Sequence, residues 1–371
     1  MNILHIATSF AYVHKALVEY EIKSGAACQV FQYNLRRKKP INFPNYVESY
    51  NPPFHSRGHF LFQIRMRNII QNAFKLYGGG EYDIVHAHYL HADGQIAYEM
   101  AQKNQIPYVV TVRNSDLYTQ ALWLFPWNRV QMLRTLEHAG AVIFLGPSHK
   151  KELLVRLPEE LKKKVEEKSV IIPNGMDDFW HQNIWTGRCT EIFEKTIITV
   201  GDIEHNKNQA AVMRAVKILQ KEGSPYRYVV VGRFLDKRIV SKLVKNGAEV
   251  FTYQEKEKLL ELYRKSSIFV LPSFKETFGL VYPEAMSQGL PVVYTKGQGF
   301  DGQFEDGVVG IAVDAGSPSE IAAAIKNIEK DYQRYSINAR IKSSVFSWDY
   351  VAKKMLGVYC EVMNESIPTE K

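Results

Sequence analysis

The chain has 371 residues, and 46% of them are hydrophobic, enough to build more than one core at the usual domain size of about 100 to 200 residues. Its formal charge is +8, but residues 1–172 hold 21 Lys and Arg against 14 acids, so nearly all the surplus lies in the first half. No run approaches the roughly 18 to 20 apolar residues that span a bilayer, aromatic-rich nucleic-acid signatures are absent, and the three cysteines (Cys28, Cys189, Cys360) have neither zinc nor redox spacing.

Short β-branched runs alternate with helical-period segments from the first residues onward. The opening, Met1-Asn2-Ile3-Leu4-His5-Ile6, lacks a basic leader and reads as a first strand over 3–7. Further strands are expected at 83–87, 108–112, 141–145 and 170–172, then at 197–200, 228–231, near Val250, and at 268–271, 291–294 and 310–313. Such alternation predicts α/β architecture with parallel sheets covered on both faces. Pro173-Asn174-Gly175 is the strongest punctuation in the pattern. It divides the chain into a first domain, 1–172, and a second, 173–347. The helical stretch beginning at Trp348 is long enough to cross back and join the first, so residues 348–371 are assigned there. Two open sheets in series carry ligand loops at the carboxyl ends of their strands, with a cleft between the lobes.

Within the first half, Phe62, Met66, Ile69, Ile70, Ala73 and Tyr77 share one helical face, with Arg57, Arg65, Arg67 and Lys75 nearby and Arg36-Arg37-Lys38-Lys39 upstream. This is either an ordinary helix of the domain with a solvated basic side or a helix lying on an anionic membrane surface. His86, His88 and His91 invite a metal reading, since alternate strand residues share a face. No carboxylate or further ligand is identifiable beside them, and no metal is assigned.

The most informative stretch runs from Ile268 to Val293. A strand ends near Pro272, and a loop carries Glu276, Phe278 and Gly279. Pro283 is placed at the first position of a new helix, where its missing N–H is harmless. Glu284 falls in that first turn. Free amides at a helix start favour a phosphate, and Gly279 allows close backbone approach. The two carboxylates would repel a phosphate and instead suit hydroxyl-rich groups, a sugar ring and a ribose diol.

This segment resembles the E-x7-E signature of the family 4 retaining glycosyltransferases of the GT-B fold (glycosyl transferases group 1). Asp83-Ile-Val-His-Ala-His, Ile172-Pro-Asn-Gly-Met-Asp, Val200-Gly-Asp-Ile-Glu-His-Asn-Lys207-Asn and Ser347-Trp-Asp resemble other pieces of that family in the same order. The resemblance implies two Rossmann-like lobes with a cleft and a C-terminal crossover helix. It also implies transfer of a hexose, with retained configuration, from a UDP- or GDP-sugar to a glycan or lipid-linked acceptor in surface polysaccharide synthesis. Glu276 would hold donor hydroxyls, the amides of Phe278, Gly279 and Leu280 would line sugar and β-phosphate, and Glu284 would bind the ribose. Lys207 would stabilise the leaving diphosphate. The reaction would need neither cofactor nor metal, and the chain has no Asp-x-Asp metal signature.

Three positions depart from the family pattern. Asp202 stands where an arginine is usual, so Arg233 is the candidate second cation. Arg113 stands in a stretch that usually carries a histidine, and would face the donor from the first lobe. The first loop, Ser9-Phe10-Ala11-Tyr12-Val13-His14, lacks the usual glycines. Tyr253 is placed either against the nucleotide base or in the core, and His14, His88 and Asp116 are acceptor-side candidates. A cytoplasmic protein, peripheral at the inner membrane face, is expected. The alternatives are a non-catalytic sugar-nucleotide-binding protein or another GT-B enzyme such as an epimerase. A dinucleotide-dependent dehydrogenase is not expected, because no Gly-x-Gly-x-x-Gly follows the first strand.

Overall fold

The computed structural model describes residues 1–34, 44–51, 59–119, 123–187 and 195–366. The Arg36 to Lys39 run, Arg57 and Cys189 lie outside these residues. The chain divides into two compact units. The first comprises Met1–Leu145, His149–Pro173 and the C-terminal helix from Trp348. The second comprises Asn174–Ser347 with Gly146–Ser148.

The first unit is built on seven parallel strands: β1 (Asn2–Ala7), β2 (Ala27–Tyr33), β3 (Val47–Tyr50), β4 (Ile84–Ala87), β5 (Tyr108–Val112), β6 (Ala141–Phe144) and β7 (Ser169–Ile171). They are ordered β3-β2-β1-β4-β5-β6-β7. Its helices are α1 (Tyr12–Lys23), α2 (His59–Tyr77), α3 (Ala92–Asn104), α4 (Asn114–Tyr118), α5 (Pro126–His138), α6 (Pro147–Leu154, whose first two residues cluster with the second unit) and α7 (Glu159–Glu167). Alternation along β1 sends Leu4 and Ile6 to one face, where Met66 and Ile69 of α2 and Ile96 of α3 cover them. Ile3 goes to the other face, covered by Leu17 of α1 and by Val351 and Met355 of the C-terminal helix. A sheet buried on both sides needs the near-continuous apolar strands seen here.

In the second unit, α8 (Asp178–Gln182) precedes β8 (Thr196–Val200), which is followed by a 3-10 turn at His205–Lys207 and α9 (Gln209–Lys221). Then come β9 (Arg227–Val231), α10 (Lys237–Lys245), β10 (Glu249–Phe251), α11 (Lys256–Arg264), β11 (Ile268–Val270) and α12 (Val281–Ser287). The unit closes with β12 (Val292–Thr295), β13 (Gly310–Val313), α13 (Pro318–Lys330) and α14 (Tyr332–Lys342). Its parallel sheet is ordered β10-β9-β8-β11-β12-β13. The last helix, α15 (Trp348–Ser366), packs on α1 within the first unit.

Three expectations change. β2 and β3 were not foreseen; both lie toward one edge of the sheet, and β2 interleaves Gln29 and Gln32 with its apolar residues. α12 begins at Val281, so Pro283 is its third residue rather than its first. The proline is still harmless, because the first four amides of a helix have no partner within it. Met66, Ile69, Ala73 and Tyr77 of α2 are buried in the core of the unit, so the apolar stripe considered for a membrane surface faces inward.

Candidate functional site

Both sheets reverse strand order once on either side of their first strand, between β1 and β4 and between β8 and β11. In open α/β sheets ligands bind outside the carboxyl ends of the strands at such a reversal. The residues singled out from the sequence lie close to these two places.

In the second unit, β8 leads to Gly201 and Asp202, and the 3-10 turn ends at Lys207. The Lys207 ammonium donates to Glu276 Oε2 at 2.7 Å. Glu276 is buried and also accepts from Ser273 Oγ at 3.0 Å and from the Thr277 amide at 3.1 Å. Its own amide donates to Gln298 Oε1 at 3.0 Å. The loops that carry this pair are laced together by Asn206, which donates to the Lys275 carbonyl and accepts from the Lys275 amide. Asn208, in the left-handed region at φ 56°, donates to the carbonyls of Pro272 and Ala315. Asn is among the few non-glycine residues that tolerate this conformation. Ser273, Asn206, Asn208 and Gln298 were missed by sequence reasoning; the Asn-Lys-Asn run beside Lys207 was their one local signal.

Gly279 has φ 75°, and a Cβ there would run into the Tyr282 ring. The Phe278 side chain is buried, edge-on to Phe346 at 5.8 Å, so this residue can offer a ligand only its backbone. Among the described residues the amides of Phe278, Gly279 and Leu280 have no acceptor.

Glu284 occupies different surroundings. Burial and the Asp177 carboxylate push it up to about 8, opposed by Lys256, with Tyr263 and Trp180 beside it. Lys256 is paired to Asp177 at 2.5 Å. Arg233 forms a two-pronged pair with Asp202, Nε to Oδ1 at 2.7 Å and Nη2 to Oδ2 at 2.6 Å. The arginine-to-aspartate change on one loop is therefore matched by an arginine on the next. A Cβ at Gly232 would overlap the Gly201 carbonyl oxygen, so the two loops touch backbone to backbone. Tyr253 is 59% exposed, which removes the core-packing alternative for it.

In the first unit, His5, His86 and His88 lie on the sheet face beneath α1 and α15. His5 Nδ1 and His88 Nε2 are 3.2 Å apart, and His5 Nε2 lies 3.1 Å from Glu21 Oε2. Tyr359 donates to Glu21 at 2.9 Å and meets His86 Nδ1 at 2.7 Å, while His86 Nε2 meets Thr111 Oγ1 at 2.8 Å. Ligand atoms of His5, His86 and His88 are close enough to surround one ion, but both nitrogens of His86 already have hydroxyl partners. His91 belongs to a different neighbourhood, stacked on Phe62.

His14 lies against His88 at 4.8 Å between ring centroids and accepts from the Ala11 amide. Burial, and to a lesser degree Arg113 and the neighbouring imidazoles, hold His14, His86 and His88 well below the usual imidazole range. Arg113 Nε donates to the His88 carbonyl at 3.1 Å, and its guanidinium lies over the Tyr89 ring. Asp116 is buried and accepts from the amides of Leu90, His91 and Arg113. Nearby, Asp93 accepts from Tyr33 at 2.7 Å and from the Thr8 amide at 2.9 Å, and burial raises it to about 7.

Two family models match the chain in succession. One, described as Glycosyltransferase Family 4, matches residues 11–178, and the other, Glycosyl transferases group 1, matches residues 193–342. The chain belongs to this glycosyltransferase family. A glycosyltransferase of Methanocaldococcus jannaschii is 26% identical over 93% of this chain and 92% of its own length. Among solved structures, Anabaena HepE in complex with UDP has a TM-score of 0.69 at 16% identity, covering 97% of this chain and all of that one. A lipopolysaccharide outer core galactosyltransferase has a TM-score of 0.76 at 12% identity, covering 97% and 99%. At these identities the likeness establishes the GT-B fold of the glycosyltransferase, with its two Rossmann-like units.

Proposed function

We propose that this glycosyltransferase moves a hexose from a nucleotide-diphosphate sugar to a glycan or lipid-linked acceptor in surface polysaccharide synthesis, with retained anomeric configuration and without a metal. The observation that carries the reading is the Lys207–Glu276 pair at the strand-order reversal of the second unit, held from below by Ser273 and from the side by Asn206. A cation and a hydroxyl-binding carboxylate stand side by side there, which suits the bond between a sugar and a diphosphate.

Breaking the anomeric C–O bond leaves its electron pair on a β-phosphate oxygen. A fixed ammonium at Lys207 stabilises that charge as it forms. Arg233, oriented by Asp202, supplies the second cation. Glu276 accepts from sugar hydroxyls, the unpaired amides of Phe278, Gly279 and Leu280 line the sugar and β-phosphate, and Glu284 takes the ribose diol. Tyr253 offers an exposed ring to the base. The acceptor oxygen forms its bond on the face the diphosphate leaves, and its proton passes to a phosphate oxygen. The first unit takes the acceptor. His14, His88 and Asp116 are buried, so they act beneath the acceptor surface as positioning residues, with Arg113 spanning from His88 to Tyr89. The UDP bound in the Anabaena structure, and the UDP-glucose in a second structure of that protein, make a UDP-sugar the first donor to try.

The test is a binding and turnover pair. UDP-, GDP-, ADP- and CMP-sugars are screened by thermal shift, since a ligand of the native state alone raises its stability. Glu284→Ala should then weaken nucleotide binding, and Glu276→Ala should chiefly lower turnover. Unchanged behaviour of both variants overturns the placement. Tight donor binding with no release of nucleoside diphosphate on any glycan acceptor would favour a non-catalytic binding protein instead. Release without an acceptor would favour an epimerase.

A further inference from the structure

The densest group of exposed apolar side chains among the described residues lies at the start of α5 in the first unit. Leu124 is 76% exposed, Val130 56%, Trp127 53% and Phe125 44%. Trp127 and Val130 share the outward helix face at i, i+3 spacing, opposite the buried Met132, Thr135 and Leu136. This ridge is firmly held at its base. The Trp123 indole packs against the core and donates to the Asp116 carbonyl at 2.6 Å, and Pro126 starts the helix.

The segment that carries the ridge holds charge of one sign. No acid occurs between Asp116 and Glu137, while Arg129 and Arg134 are both exposed. A second copy of the chain is a poor occupant, because a two-fold contact puts a patch against itself and would bring Arg129 and Arg134 toward their own copies. An anionic partner that is apolar beneath its charged layer fits both features. Tryptophan and phenylalanine seat well at such a boundary, with arginines reaching back to the headgroups.

We propose that Leu124, Phe125, Trp127 and Val130 form a membrane-contact ridge that inserts into the headgroup region of an anionic bilayer, with Arg129 and Arg134 pairing to its lipids. The surface lies on α5, not on α2, whose apolar stripe is used by the core. No helix among the described residues is long and apolar enough to cross a membrane, so attachment through this ridge is peripheral. The proposal does not depend on the glycosyl-transfer reading.

The test is flotation of the full chain with vesicles of phosphatidylcholine alone or mixed with about one-third phosphatidylglycerol, a composition chosen for its surface charge. Wild type should float with the mixed vesicles and less with the neutral ones, and salt should weaken the association. The Leu124→Ser/Trp127→Ser/Val130→Ser variant should bind more than about tenfold more weakly at an unchanged melting temperature, and Arg129→Gln about fivefold more weakly. Equal binding by wild type and the triple variant, or no binding by either, overturns the proposal. So does a wild-type dimer that the triple variant converts to monomer in analytical ultracentrifugation, which would make the ridge a contact between copies.

Discussion

The carboxyl ends of the two sheets carry polar groups in different electrostatic surroundings. In the second unit the groups are ionised and paired across loops: Lys207 with Glu276, Arg233 with Asp202, Lys256 with Asp177. In the first they are buried, and burial disfavours their charged forms. His14, His86 and His88 are held below the usual imidazole range, and Asp93 and Asp116 are raised to about 7 and 6. Fixed charges next to a surface suit a diphosphate whose charge grows during reaction. Buried, hydrogen-bonded groups beneath a surface suit a rigid platform for an uncharged hydroxyl. Glu284 stands apart, a second-unit acid with first-unit character, since burial raises it to about 8.

The largest effect expected from breaking this division is in the second unit. Lys207→Ala should lower turnover about 10²- to 10³-fold, the scale of removing one fixed transition-state donor, as followed by nucleoside diphosphate release with acceptor present. The first unit should respond in stability instead. Tyr359→Phe removes the hydroxyl that links His86 to Glu21 and should cost about 1–3 kcal/mol in urea unfolding, with little change in donor affinity. Arg233→Ala should weaken UDP binding about tenfold, and Asp202→Asn should do so by less, because it loosens the guanidinium without removing it.

The smallest effect sharpens the comparison through pH. Glu284 has its ordinary carboxyl pKa near 4.5 when unfolded and about 8 when folded. Between those values the unfolded chain has released the proton and the native chain keeps it, so stability falls as pH rises across that window. Glu284→Gln should flatten the fall in melting temperature, by a few degrees, up to about pH 8. Asp93→Asn should flatten it only up to about pH 7. A flat wild-type profile from pH 5 to 8 would remove the contrast between these buried acids and the ion-paired loops.

Much of the fold was legible from β-branched runs alone. Parallel strands covered on both faces must be apolar throughout, and β1, β5, β8 and β12 advertise this without help from their neighbours. β2 and β3 were not legible, because interleaved glutamines and a position toward the sheet edge blur the pattern. At the candidate site, Glu276, Glu284 and Lys207 stood out by residue type and spacing. Ser273, Asn206 and Gln298 did not, because a serine or an amide in a loop has no periodicity and acquires its role only from what lies across from it.

The sequence by itself determined the α/β class, the glycosyltransferase family and the acids and lysine worth examining, since each of these depends on local pattern and on residue chemistry. Only the tertiary structure decided that Asp202 grips Arg233, that α2 spends its apolar stripe on the core while the start of α5 leaves its own exposed, and that His5, Glu21 and Tyr359 close a network around His86. These depend on contacts between residues 16 to more than 300 positions apart, and such pairings are set by how strands and helices stack rather than by any pattern along the chain.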